Sequence, residues 1–214
     1  MVKIVSINKK LKSGGRGSKP IFKVPNVFIT HKTKADDVYF GGSKPKIIEI
    51  ESTISLFDDF DDTKRKEKAE VGYIAAYKVS DIKKFTHREI VKACDSKRQN
   101  LEDAFKAAFK STSDGTRFKT HKGISTQVKS SILYIDTVLI FEQHRGLGVG
   151  NIAVKRFVED LAGDCVVLVK PYAFEDSNSI QAHKKVKKFW ESFGFKEMSY
   201  TGYYISNYHK IIKS

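Results

Sequence analysis

The chain has 214 residues, 40% of them hydrophobic, and a formal net charge of +14; it can fill the core of one large domain, or of one domain with an insertion, and its basic balance turns attention to phosphate-bearing partners. No apolar run approaches the ~20 residues of a membrane helix, the opening residues 1–7 are too short for a signal-peptide core, and Cys94 and Cys165 form neither a C-x-x-C pair nor a disulfide framework. Membrane-spanning and disulfide-stapled classes are thereby excluded, a reducing, cytoplasmic setting is expected, and histidines without ligand spacing predict no metal site.

In chain order, residues 2–7 read as a first strand. The basic residues of the segment 1–35 are Lys3, Lys9, Lys10, Lys12, Arg16, Lys19, Lys23, Lys32 and Lys34, with no Asp or Glu among them. Within it, residues 9–20 are rich in Lys, Gly and Ser, as in a basic loop or arm. Two readings stay open for this segment: contact with the phosphates of a nucleic acid or nucleotide ligand, or a solvated loop. Residues 27–30, 46–55 and 71–79 read as strands. The aspartates of 58–62, followed by Lys64, Arg65 and Lys66, lack the glycine and glutamate placement of an EF-hand and read as an exposed hairpin loop. A short helix is expected over 87–93. Ser96-x-x-Gln99 has the form of a capping box, and Leu101, Ala104, Phe105, Ala108 and Phe109 follow helical spacing on one face. Residues 81–122 are read as a largely helical insertion before the central strand, closed by the turn 111–115.

The centre of the chain is a strand, a glycine-rich turn and a helix. Residues 131–140 are strand-like. Arg145-Gly146-Leu147-Gly148-Val149-Gly150 follows, and Val154, Phe157, Val158 and Leu161 then fall at i, i+3, i+4 and i+7 of an amphipathic helix over 151–161, with Gly163 as its stop. Glycines let the backbone approach a ligand closely, and a helix start offers N–H groups and partial positive charge to a phosphate. The spacing is neither the G-x-G-x-x-G of a dinucleotide fold nor the G-x-x-x-x-G-K-[ST] of a P-loop. Residues 165–169 read as a buried parallel strand. Residues 179–193 read as a helix with Val186, Phe189, Trp190 and Phe193 on one stripe and Gly194 as cap, and 201–212 as a last strand or pair.

The R-x-x-G-x-G of Arg145, Gly148 and Gly150 resembles the acyl-CoA pyrophosphate loop of the GNAT N-acetyltransferase superfamily, and the segment Phe189-Trp-Glu-Ser-Phe-Gly-Phe195 resembles that family's F-Y-x-x-x-G-F. The resemblance implies an α/β GNAT fold, a mixed central sheet flanked by helices, in a single domain over 1–214. It implies acetyl-CoA as co-substrate and direct attack by an amine acceptor: a small molecule, a protein or RNA. Backbone groups of Arg145, Gly146, Leu147, Gly148, Val149, Gly150 and Asn151 would then hold the pyrophosphate, and Val138, Leu139 and Ile140 would pair with the pantetheine arm.

The sequence departs from the family at Trp190, which stands where a tyrosine acid is usual; an indole cannot donate a proton near neutral pH. Tyr172, Tyr203 or water then protonates the leaving thiolate, or the chain binds acyl-CoA as a regulatory module without efficient turnover. For the base, Asp136 is a candidate, placed by alternation on the face of Tyr134 and Val138; Glu142, after the strand end, is the other. His144 reads as a loop residue. A third possibility is a nucleic-acid-directed modification protein, supported by residues 1–35.

Overall fold

Three segments of alternating apolar residues come first among the described residues and pair in sequence order. In the computed structural model the described residues are 26–35, 45–57, 69–112, 115–118, 131–163, 165–173, 179–198, 201–207 and 211–212. The expected strand over 2–7, the basic run 9–20 and the aspartate-rich loop 58–66 lie outside them. Strands β1 (Asn26–Ala35), β2 (Lys46–Phe57) and β3 (Ala69–Ser80) form an antiparallel meander. On β2, Ile48, Ile50, Ile54 and Leu56 face one side of the sheet and Ile47 the other, the period of two that a pleated strand imposes.

Two helices follow, α1 (His87–Asp95) and α2 (Gln99–Ala108), then a hairpin of β4 (Phe109–Thr112) and β5 (Gly115–Phe118). The capping box lies at Thr86 and Glu89, whose side chains exchange hydrogen bonds with each other's backbone N–H. This corrects the expectation of a box at Ser96–Gln99. Ser96 keeps helical backbone angles at the end of α1, and its hydroxyl donates to the Ala93 carbonyl at 2.7 Å, so it is spent on the preceding helix. The Gln99 side chain instead donates to Glu102 and Asp103.

The remaining elements are β6 (Ile132–Ile140), α3 (Val149–Leu161), β7 (Val166–Val169), α4 (Ile180–Ser192), β8 (Lys196–Glu197) and β9 (Tyr204–Asn207). Together they complete a seven-stranded mixed sheet in the order β1-β2-β3-β6-β7-β9-β8, in which β6 and β7 run parallel. Phe157 and Val158 of α3, with Trp190 and Phe193 of α4, pack on one face. Ile90 and Cys94 of α1, with Leu101 and Phe105 of α2, pack on the other against Tyr134 and Leu168. The block read as an insertion thus supplies the second layer over the sheet. No helix among the described residues is long and apolar enough to cross a membrane.

Two bulges adjust the sheet. On β3 the register against β2 shifts at Ile54/Ser55, leaving Val71 as the additional residue. On β6 it shifts between Ala75↔Thr137 and Ala76↔Ile135, leaving Asp136 as the additional residue. The second bulge reverses the parity of β6. Ile132 and Tyr134 face the α1–α2 layer, whereas Val138 and Ile140 face the α3–α4 layer. Tyr134 and Val138 therefore do not share a face, contrary to strict alternation.

Beyond that bulge β6 is drawn tightly against β3. A Cβ on Gly72 would collide with the Leu139 carbonyl oxygen and press on Cα of Ile140 at 3.1 Å. Backbone atoms cannot yield as a flexible side chain can, so Gly72→Ala is expected to cost about 1–3 kcal/mol in urea melts. A midpoint equal to wild type would show that the two strands separate without penalty.

Burial in the α1–α2 layer, reinforced by the charge of Glu102, pushes the Cys94 thiol up to about 12. A thiol raised above its unfolded value contributes stability that is full below the unfolded pKa of ~8.5 and is lost as pH climbs toward the folded one. Urea midpoints are expected to fall from about pH 9 upward, with a shallower fall in Cys94→Ala. Equal slopes for the two proteins would assign the alkaline loss to other groups.

Candidate functional site

The parallel pairing of β6 with β7 covers only Ile132↔Val166 to Ile135↔Val169. Lys170 and Pro171 follow on β7; proline has no N–H and holds its predecessor extended, so the ladder stops. β6 continues to Ile140, bound on its other side to β3. The Leu139 carbonyl points at Gly72, and the Phe141 N–H donates to the Val71 carbonyl at 2.8 Å. Alternation along the strand then turns the backbone groups of Val138 and Ile140 to the side that β7 has left. No strand among the described residues pairs with that edge. Arg145 closes part of it, its Nε donating to the Ile140 carbonyl at 2.8 Å.

The glycine turn lies directly after this edge. Gly146 and Gly148 have φ of 75° and 77°, and Gly148 is the N-cap of α3. No side chain caps this helix, in contrast to the Ser179 hydroxyl that receives the Ala182 N–H of α4. The first-turn N–H groups of α3 have no intrahelical acceptor.

Edge and helix start open into one cleft of about 620 Å³. Val138, Ile140, Val149, Val186, Phe189 and Trp190 make its apolar wall, and His144, Arg145, Lys170 and Lys185 its basic rim. Asp136 is the carboxylate of the lining. It sits at the point where β6 and β7 part, and its side chain, 5% exposed, pairs with Arg98 at 3.1 Å. Tyr134, on the α1–α2 face, is pushed well above the usual tyrosine range by burial and then by the charge of Asp136. The arrangement suits an elongated ligand with an anionic end, a hydrogen-bonding arm and a reacting group near Asp136.

Of the residues singled out from the sequence, Asp136, Val138, Ile140, Arg145, Gly146, Gly148, Val149, Gly150, Asn151 and Tyr172 line this cleft. Leu139, Glu142 and Leu147 are not part of the lining: Leu139 turns its carbonyl to β3, Glu142 is exposed in the short 3₁₀ turn Glu142–His144, and Leu147 projects outward. Tyr203 is also elsewhere. Its hydroxyl donates to the Asn100 carbonyl at 3.3 Å, and burial, with the charges of Asp103 and Asp136, pushes it up to about 12. Trp190 is 4% exposed and packs edge-on against Phe189 and Phe195 at ring distances of 5.2 Å, with one side in the cleft wall. Sequence reading missed Lys170, Lys185 and Arg98. Only tertiary packing brings them here, and their local sequence carries no signal.

No family model matches the chain, and no curated protein matches it. A solved structure described as the crystal structure of the KacTA-DNA complex aligns over 77% of this chain and 71% of that one, at 10% identity and a TM-score of 0.40.

A Cβ on Gly148 would meet no atom within 4 Å, so the cost of replacing it is conformational alone. A valine at φ 77° is expected to cost about 2 kcal/mol of stability, the order of a left-handed residue. Circular dichroism of Gly148→Val should show the native spectrum at 25 °C; loss of the fold would mean that the turn is structural.

Proposed function

We propose that the protein is an N-acyltransferase of the GNAT superfamily that transfers an acetyl group from acetyl-CoA to an amine. One observation carries the reading: the backbone edge of Val138 and Ile140 and the uncapped start of α3 open into the same cleft. The edge suits the amides of a pantetheine arm, laid down as an additional strand. The helix start, with the backbone of Arg145 to Asn151 and the basic rim, suits the pyrophosphate.

In this reading the acceptor nitrogen meets the thioester carbonyl at the parting of the strands, where Asp136 takes the proton lost as the C–N bond forms, directly or through water. The proton that nitrogen gives up after attack is acidic, so a carboxylate within reach can take it. Tyr172, 45% exposed on the cleft wall, protonates the thiolate released when the C–S bond breaks. Trp190 serves as wall and packing. Glu142 would act only through a chain of waters. The reading of an acyl-CoA-binding regulatory module draws on Trp190, buried where the family places its acid.

The test uses labelled acetyl-CoA with spermidine, poly-L-lysine and tRNA as acceptor probes, and calorimetric titration of CoA. Wild type is expected to bind CoA and label a probe. Gly148→Val should bind CoA at least about a hundredfold more weakly, since two to three charge-assisted hydrogen bonds of about 1.5–3 kcal/mol each depend on close approach. No CoA binding by wild type would refute the assignment. Binding without labelling of any probe would favour the regulatory module.

A further inference from the structure

A guanidinium is a poor residue with which to begin a helix. Ser, Thr, Asp and Asn accept the free N–H groups there, whereas a cation opposes the helix dipole. Yet Arg98 is the N-cap of α2, with no side-chain cap bond, in the turn that joins α1 to α2. Its placement therefore serves something other than the helix. What it serves is visible across the turn: Nη1 lies 3.1 Å from Oδ2 of Asp136.

We propose that Arg98 is a positioning residue for acyl transfer, holding the Asp136 carboxylate at the parting of β6 and β7 in the orientation from which it takes the acceptor's proton. The inference rests on the acyl-transfer reading above and adds a residue to it. Asp136 is the bulge residue of β6, so no neighbour in the strand ladder fixes its orientation. A carboxylate as buried as this one calls for a cation and hydrogen bonds to offset its lost solvation. Arg98 supplies the cation, and the Thr137 hydroxyl donates to the same oxygen at 3.4 Å.

Arg98 is itself held. Its pKa is raised, first by the neighbouring Tyr77 hydroxyl and then by the charge of Asp136. Tyr77 in turn donates to Glu49 Oε1 at 3.4 Å. Arg98 thus connects the surroundings of Tyr77 on β3 with the carboxylate that, among the described residues, lines the cleft.

The experiment compares wild type, Arg98→Met, Arg98→Lys, Asp136→Asn and the double variant Arg98→Met/Asp136→Asn. Acetyl transfer is measured to whichever of spermidine, poly-L-lysine and tRNA wild type labels, and CoA affinity by calorimetry. Arg98→Met and Asp136→Asn are each expected to lower kcat about tenfold or more, with KM for acetyl-CoA and CoA affinity unchanged. The double variant should fall no further than the worse single, because the two residues act as one unit, and Arg98→Lys should recover part of the rate. A kcat for Arg98→Met within about twofold of wild type, fully additive losses, or a parallel loss of CoA affinity would each overturn the role of Arg98 while leaving acyl transfer standing. If Arg98→Met fails to fold, Arg98→Lys decides: a folded lysine variant with no rate recovery over Asp136→Asn overturns the proposal. A wild type that binds CoA and labels no probe overturns acyl transfer itself, and the inference with it.

Discussion

The site depends on a mismatch in strand length. β6 continues for residues 136–140 beyond its last pairing with β7, because β7 ends at Val169 and Pro171 follows closely. A strand that loses one neighbour normally frays or is covered. Here β3 holds β6 in place from the other side, through a contact so close that position 72 admits no side chain. The close contact with β3 keeps one edge rigid, and the early end of β7 leaves the other open. Any change that lets β6 relax toward β7, or away from β3, removes the open edge and the cleft together.

The sheet also separates charge. On the α3–α4 side the rim is basic, from Arg145, Lys170 and Lys185, and the start of α3 adds its partial positive charge. On the α1–α2 side, Asp136 meets Arg98 and Tyr134. The nearby cation Arg145 is committed to the Ile140 carbonyl, and Lys170 lies over the Tyr203 ring at 5.2 Å. A carboxylate in the lining of a basic cleft would otherwise be drawn to the rim. Compensation from the opposite face leaves it at the floor, where the two strands diverge.

These devices differ in how far local sequence announces them. The strand, turn and helix from 131 to 161 were legible because each signal is local: an apolar run, glycines at 146 and 148 that adopt positive φ, and a 3.6-residue stripe ending at Leu161. The parity of β6 was not, since alternation assumes an unbroken ladder and the bulge at Asp136 is set by the register with β3. Ser96 misled for a related reason. The motif specifies a cap, but a hydroxyl can serve the helix behind it as well as the one ahead, and the tight turn at 96–98 decides in favour of the first. Lys170, Lys185 and Arg98 reach the site from three separate segments, so their roles exist only in the folded chain.

Trp190 is a wall residue of the cleft, and its surroundings show what an indole does there. Its ring is enclosed by Phe189, Phe193 and Phe195, all within 6.3 Å between centroids. An indole fills this enclosure with a large apolar surface and carries a single N–H donor. The residue therefore adds apolar wall and offers no acid near neutral pH. Tyr172 faces the same cleft from the chain just past Pro171, its ring 5.4 Å from that of His183 on α4. The proline that ends β7 and opens the strand edge also delivers a tyrosine to the cleft. The open strand edge and the phenol at 172 thus share one backbone feature.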